Sequence, residues 1–176
     1  TALQIHLGDP KSDGNIPVTS KTFFNLAAAH PDNKDPLRDQ PRKWIGIQLG
    51  PQSAEKSWSR EQWLELCKLF LARSPECGLV LLGTESDNQT AEYISNEISA
   101  QLSDARAFIN WVGKTNFDQW ASAISKCQWI VTGDSSAVGL ASVLGTRILY
   151  LGMGSPRYFE TGPYGNGHYL ITAQKS

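Results

Sequence analysis

From Trp44 onward the chain alternates between short unbroken apolar runs and longer segments with helical spacing. Ile45–Leu49, Leu79–Leu82, Ala107–Ile109 with Val112, Trp129–Val131 and Ile148–Leu151 are the apolar runs. Each lies next to or close to a glycine: Gly50, Gly83, Gly113, Gly133 and Gly152. Between them, Trp63, Leu64, Cys67, Phe70 and Leu71 recur at three- and four-residue intervals, which predicts a helix over 60–71. Ser59 is placed to cap it, with Gln62 three residues on. Ala91, Ile94 and Ile98 predict a second helix, Phe117, Trp120, Ala121 and Ile124 a third, and Ala137–Leu144 a fourth, stopped by Gly145. His168–Thr172 reads as a last strand. Apolar runs without alternation suit strands covered on both faces. Strand–helix alternation predicts an α/β domain with a doubly wound parallel sheet and right-handed crossovers. Ligands in such a sheet bind at the carboxyl ends of the strands.

Residues 1–43 have a different texture. Leu3, Ile5 and Leu7 alternate with polar residues as a short strand does. Two turn signals follow, Gly8-Asp9-Pro10 and Asp13-Gly14, and 31–42 reads as a Pro-, Asp- and Lys-rich linker. The segment is expected to be a lead-in and not part of the core, with the domain proper over 44–176. Thr1 in place of Met marks the chain as processed or as part of something longer.

Composition narrows the function. Lys+Arg 16 against Asp+Glu 17 leaves a net charge of −1, which argues against a broad nucleic-acid footprint but allows a local anion pocket. No apolar run approaches the roughly 18–20 residues of a membrane span, and no secretory signal opens the chain. Cys67, Cys77 and Cys127 are widely spaced with no CxxC pair, so they read as reduced, buried thiols. His6, His30 and His168 form no metal-ligand pattern, and neither GxSxG nor HExxH occurs.

The polar residues worth weighing follow the strands. Gly50–Trp58 carries Gln52, Ser53 and Lys56, which can offer N–H groups and one cation to an anion, though the P-loop spacing is absent. A plain solvated lysine is the competing reading. Gly133-Asp134-Ser135-Ser136 runs straight into a helix whose first N–H groups suit an anion, while Asp134 or Ser135 is expected to cap that helix. The carboxylates of Gly83–Asp87 can serve ribose hydroxyls or cap the next helix. Lys114 and Thr115 follow the third strand, where a nucleotide base or an ordinary turn fits equally. Gly152–Pro156 and Thr161–Gly165 form a long glycine- and proline-rich stretch of the kind that is often functional. The six tryptophans read mostly as core or interface, not as a base-stacking platform.

In order and spacing, Ile45–Gly50, Lys56-Ser57-Trp58, Leu79–Gly83, Val112–Thr115, Gly133-Asp134-Ser135, Leu140-Ala141, Leu144-Gly145-Thr146 and Thr161–Gly165 resemble the family 9 glycosyltransferases, the bacterial lipopolysaccharide heptosyltransferases and their relatives. The resemblance covers about Trp44 to Leu170. It implies the C-terminal half of a GT-B fold: a Rossmann-like domain that binds a nucleotide sugar, ADP-heptose by default. The acceptor domain and its catalytic base would lie outside this chain. Lys56 would act catalytically by neutralising the donor phosphates, with Gln52 and Ser53 beside them. Asp87 would hold the ribose, and Lys114 and Thr115 would border the adenine. Asp134, Ser135, Ser136 and Gly139 would line the diphosphate end. No metal and no cofactor beyond the substrate is implied. A glycolipid acceptor is implied, in a cytoplasmic setting that allows peripheral contact with the inner membrane.

The family pattern Asp-Ser-Gly-Pro-x-His-Leu-Ala is here Asp134-Ser135-Ser136-Ala137-Val138-Gly139-Leu140-Ala141, with Ser136 at its glycine and Gly139 at its histidine. Two other readings therefore stay open. One is a degenerate, non-catalytic nucleotide-binding or interaction domain, and the other is a GT-B type nucleotide-sugar epimerase.

Overall fold

The computed structural model describes residues 3–6, 37, 43–50, 58–102, 104, 107–152, 162–163 and 167–173. The strands are β1 (Leu3–His6), β2 (Lys43–Gln48), β3 (Cys77–Leu82), β4 (Phe108–Asn110), β5 (Cys127–Thr132), β6 (Arg147–Gly152) and β7 (Tyr169–Ala173). The helices are α1 (Arg60–Arg73), α2 (Asn88–Ser99), α3 (Phe117–Lys126) and α4 (Ser136–Leu144). A short 3-10 turn, Glu85–Asp87, leads into α2.

All seven strands form one sheet in the order β1-β7-β6-β5-β2-β3-β4. β2 to β7 are parallel to their neighbours, and β1 lies antiparallel on β7. From β4 to β7 this is the strand order of the doubly wound dinucleotide-binding folds, with β2 at the point where the chain reverses direction across the sheet.

Side chains along a strand alternate between faces, so each strand feeds two cores. Ile45, Ile47, Leu79 and Leu81 pack with Trp63, Leu64 and Cys67 of α1 and Ala91, Ile94 and Ile98 of α2. Trp44, Val80, Leu82, Ile130 and Ile148 pack with Ala123 and Ile124 of α3 and Ala137 and Ala141 of α4. Ile47, Ile94, Ile124 and Ile130 are fully buried, and each such burial contributes about 1.5–3 kcal/mol. α1 starts where expected: the Ser59 hydroxyl accepts from the Gln62 N–H at 3.3 Å, and the Gln62 Oε1 accepts from the Ser59 N–H at 2.8 Å. α4 stops at Gly145, whose φ of 73° is a left-handed value that glycine adopts without steric cost.

Part of residues 1–43 belongs to the sheet and the core. β1 extends the sheet, and Leu37, 4% exposed, joins the core beside Trp44. The alternation of Leu3 and Ile5 identified the strand. Its partner, about 165 residues further on in the chain, leaves no local signal. No helix among the described residues is long and apolar enough to cross a membrane.

Candidate functional site

The carboxyl ends of β4, β3, β2 and β5 stand side by side, and a cleft of about 360 Å³ opens among them. That volume lies within the range of small-molecule sites. Its lining comes from Gln48 of β2, Gly83, Thr84 and Glu85 after β3, Gly113, Thr115 and Asn116 after β4, Phe117 and Trp120 of α3, and Ser136 of α4.

The β3 side is held by its own hydrogen bonds. Asp87 is 2% exposed, and its Oδ2 accepts from the Thr84 N–H at 2.9 Å and from the Thr84 hydroxyl at 3.1 Å. The Thr84 and Ser86 hydroxyls lie 2.7 Å apart. The Asp87 Oδ1 is buried and has no hydrogen-bond partner. Asp87 thus faces its own turn, and the acidic residue that lines the cleft is Glu85. Asp87 holds the N-cap position of α2, but its side chain makes no cap hydrogen bond to that helix and closes the preceding turn on Thr84 instead.

The β4 side is tied to β3 by the Gly113 N–H, which donates to the Gly83 carbonyl at 3.1 Å. Gly113 has φ 67°, a left-handed value that favours glycine, and a Cβ there would lie 3.1 Å from Asn88 Oδ1 and 3.2 Å from Glu85 Cγ, so those side chains would have to give by a few tenths of an ångström. Lys114 points its ammonium back to the Asn110 carbonyl at 3.1 Å and does not line the cleft, whereas Thr115 does. The Asn116 Oδ1 accepts from the Gln119 N–H at 2.9 Å, and the Gln119 Oε1 accepts from the Asn116 N–H at 3.0 Å, closing the start of α3.

The first turn of α3 carries two aromatic rings into the cleft. Phe117 is 60% exposed and meets Trp120 edge-on, with centroids 5.9 Å apart. The Trp120 indole N–H donates to the Gln48 Oε1 at 2.8 Å, while the Gln48 Nε2 donates to the Leu49 carbonyl at 3.0 Å. Gln48 therefore fixes the indole.

At β5, Ser135 holds the N-cap position of α4 in an extended conformation, φ −150° and ψ 163°, but its side chain makes no cap hydrogen bond. The Thr132 hydroxyl donates to the Gly133 carbonyl at 3.2 Å and lies 2.7 Å from the Ser135 hydroxyl. Either hydroxyl can be the donor of that pair. The expected cap is thus present in position and missing in bonding. Ser136 is exposed and lines the cleft. Asp134 and Gly139 are exposed but do not line it.

Gln52, Ser53 and Lys56 lie outside the described residues, as does most of the Gly152–Gly165 stretch. Gln48, Asn116, Phe117 and Trp120 belong to the cleft, although sequence reasoning passed over them or assigned them to the core. The Asn116/Gln119 spacing was the available signal, a capping box directly after a strand's carboxyl end.

Nucleophilic thiol chemistry has no support here. Burial pushes Cys67 and Cys127 up to about 12, and Cys77 is raised by burial and then by the neighbouring Glu76. All three are free, buried thiols. Among the described residues no group of three His, Cys, Asp or Glu could hold a metal ion.

The chain matches the model of glycosyltransferase family 9 (heptosyltransferase) over residues 10–175. It is 27% identical over 115 residues to lipooligosaccharide heptosyltransferase 2 of Haemophilus influenzae, a match covering 64% of this chain and 31% of that protein. The fold resembles that of the Escherichia coli ADP-heptose lipopolysaccharide heptosyltransferase II, with 24% identity and a TM-score of 0.64 over 89% of this chain and 44% of that one. It also resembles a family 9 glycosyl transferase of Veillonella parvula, with 20% identity and a TM-score of 0.64 over 89% and 40% of the two chains. The E. coli heptosyltransferase WaaC with ADP is similar at 15% identity and a TM-score of 0.65, over 88% and 42%. The chain thus spans less than half the length of each of these relatives.

Proposed function

The chain belongs to glycosyltransferase family 9, and from that premise we propose that its cleft binds the nucleoside-diphosphate part of a sugar donor. Residues 44–176 then act as the donor half of a two-domain transferase. The observation that carries this reading is the position of the cleft: it sits where the strand order reverses, with an anion-suited helix start at one end and an aromatic rim at the other.

The order of groups along the sheet edge fits such a ligand. β4 and β5 are three strand spacings apart, roughly 14 Å, about the reach of an extended nucleoside diphosphate. The diphosphate would lie at Ser136 and the first amides of α4, where the N–H groups and the helix dipole favour negative charge. The ribose would meet Thr84 and Glu85, and the base Thr115 and the first turn of α3. Lys56, with Gln52 and Ser53, would complete the phosphate site from the loop after β2, as the family resemblance implies.

Transfer of the sugar builds negative charge on the departing nucleoside diphosphate. Amides at those oxygens, and a lysine ammonium if Lys56 takes the family's place, would stabilise the transition state more than the ground state. No metal is required on that scheme. The donor is ADP-heptose by default and the acceptor a lipopolysaccharide-type glycolipid, reached by peripheral membrane contact of the whole enzyme. The acceptor side and the catalytic base would come from the other domain, so the 176-residue chain alone is expected to transfer no sugar.

Calorimetric titration with ADP, UDP and GDP tests the reading. ADP is expected to bind, and Lys56→Ala to weaken it by about 1–3 kcal/mol, as the loss of a charge-assisted hydrogen bond does. No binding by any of the three would sink the donor-site reading. Unchanged ADP affinity in Lys56→Ala would remove the lysine from it.

A further inference from the structure

Far from the cleft, at the amino ends of the strands, the start of β6 is tied to β7 by a side chain as well as by the strand ladder. The ladder begins at Leu149, opposite Tyr169. One residue earlier, the Ile148 N–H donates to Nδ1 of His168 at 3.1 Å, a bond between residues 20 apart in the chain. Gly167, at a left-handed φ of 83°, turns the chain into β7 directly before that ring. His168 is half-buried, and Ile148 is fully buried in the core covered by α3 and α4. On its other side β7 carries β1, the edge of the sheet.

A ring nitrogen that accepts a hydrogen bond carries no proton. His168 is therefore in the neutral form with its proton on Nε2. A second proton would go to Nδ1 and set one N–H against another, and the buried amide of Ile148 would lose this acceptor. The charged and titratable residues on the elements around the ring are Arg147 at the start of β6, Lys126 at the end of α3 and Tyr169 on β7. α4 has none between Ser136 and Leu144. Arg147 and Lys126 carry donors only, and the Tyr169 ring lies against Trp129 with centroids 5.2 Å apart. None of them stands in for Nδ1.

We propose that His168 is a pH-sensitive latch. Neutral, it fastens the start of β7, and β1 through it, to β6. Protonated, it releases that edge of the sheet. The fold uses the neutral ring, so the latch contributes its full stability while histidine is neutral in the unfolded chain and loses it as the pH falls.

The experiment is NMR on the 176-residue chain at about pH 8 and about pH 5, the span over which histidine changes charge, with His168→Gln beside it. At the higher pH the ring nitrogens of His168 are expected to show the proton on Nε2. At the lower pH the hydrogen-exchange protection factor of the Ile148 amide is expected to fall about tenfold, as the loss of a buried hydrogen bond does. Ile130, paired with Ile148 from β5, is expected to keep its protection. The side-chain oxygen of His168→Gln can accept the same bond and does not titrate, so that variant is expected to show no such fall. A proton on Nδ1 at the higher pH would overturn the proposal. So would unchanged protection of Ile148 at the lower pH, an equal fall at Ile130, or the same fall in His168→Gln. If the variant does not fold, the first three readouts on the unmodified chain decide.

Discussion

α3 and α4 both begin at the carboxyl edge of the sheet and both lend a residue to the cleft, yet their first turns are finished differently. α3 is closed by a reciprocal capping box: Asn116 and Gln119 each bond the other's backbone. α4 has a serine in the same position, in the extended conformation a cap needs, but its hydroxyl lies beside that of Thr132 and makes no cap hydrogen bond. The connections explain part of this. β4 reaches α3 through Trp111–Asn116, long enough to fold a side chain back on the helix. β5 runs into α4 through only Gly133, Asp134 and Ser135, which leaves the Ser135 hydroxyl beside that of Thr132, 2.7 Å away. A helix start that its own chain satisfies can present shape. One that its own side chains leave open can present N–H groups. The cleft has one of each, facing one another across the sheet edge.

The largest effect is expected on the closed side. Asp87 accepts from both the N–H and the hydroxyl of Thr84, in a turn where its carboxylate is 2% exposed. Asp87→Ala leaves the Thr84 N–H to find another partner and opens the turn that bears Glu85. We expect a loss of about 2–3 kcal/mol, read as a lower urea midpoint at constant m-value. A loss below roughly 0.5 kcal/mol, the ordinary range for a surface site, would show that the turn holds without it.

A smaller effect separates the two helices. Asn116→Ala removes a cap acceptor that is in use and is expected to cost about 1 kcal/mol, with Asn116→Asp recovering most of it. The same variant loosens the turn that carries Phe117, so ADP affinity should fall alongside stability. If stability falls and ADP affinity does not, the first turn of α3 is not what positions the ring.

Much of the fold was legible because it is encoded locally. Strands buried on both faces leave continuous apolar runs, and those at 45–49, 79–82, 129–131 and 148–151 all fall largely within strands of the parallel sheet. Helices leave a stripe, and that stripe also explains what was missed. Phe117, Trp120, Ala121 and Ile124 share one periodic pattern, which sequence reads as a single core face. Ala121 and Ile124 are buried, whereas the first turn overhangs the end of the sheet and leaves Phe117 60% exposed. Periodicity gives the face of a helix and says nothing of where along its length the sheet beneath it stops. Asp87 and Glu85 pose a similar problem, since two acids two residues apart in a turn differ only in which way the turn faces. Thr115 and Ser136 do line the cleft, and their positions follow from strand ends alone.

The smallest stability effect bears most directly on the difference between the helices. The Ser135 side chain makes no bond to the α4 backbone, so Ser135→Ala is expected to cost only a few tenths of a kcal/mol, against about 1 for Asn116→Ala. Ser135→Asp goes the other way. Its carboxylate can accept from the first amides of α4 and places negative charge at the helix start, so stability should rise by about 0.5–1 kcal/mol. The added charge then occupies the place proposed for the diphosphate, so ADP and pyrophosphate affinity should fall together, by about tenfold or more. Stability and affinity moving in opposite directions in one variant is the signature of a helix start left open for a ligand. If Ser135→Ala proves as costly as Asn116→Ala, or if Ser135→Asp leaves pyrophosphate binding intact, the two helix starts are equivalent and the anion end of the cleft lies elsewhere.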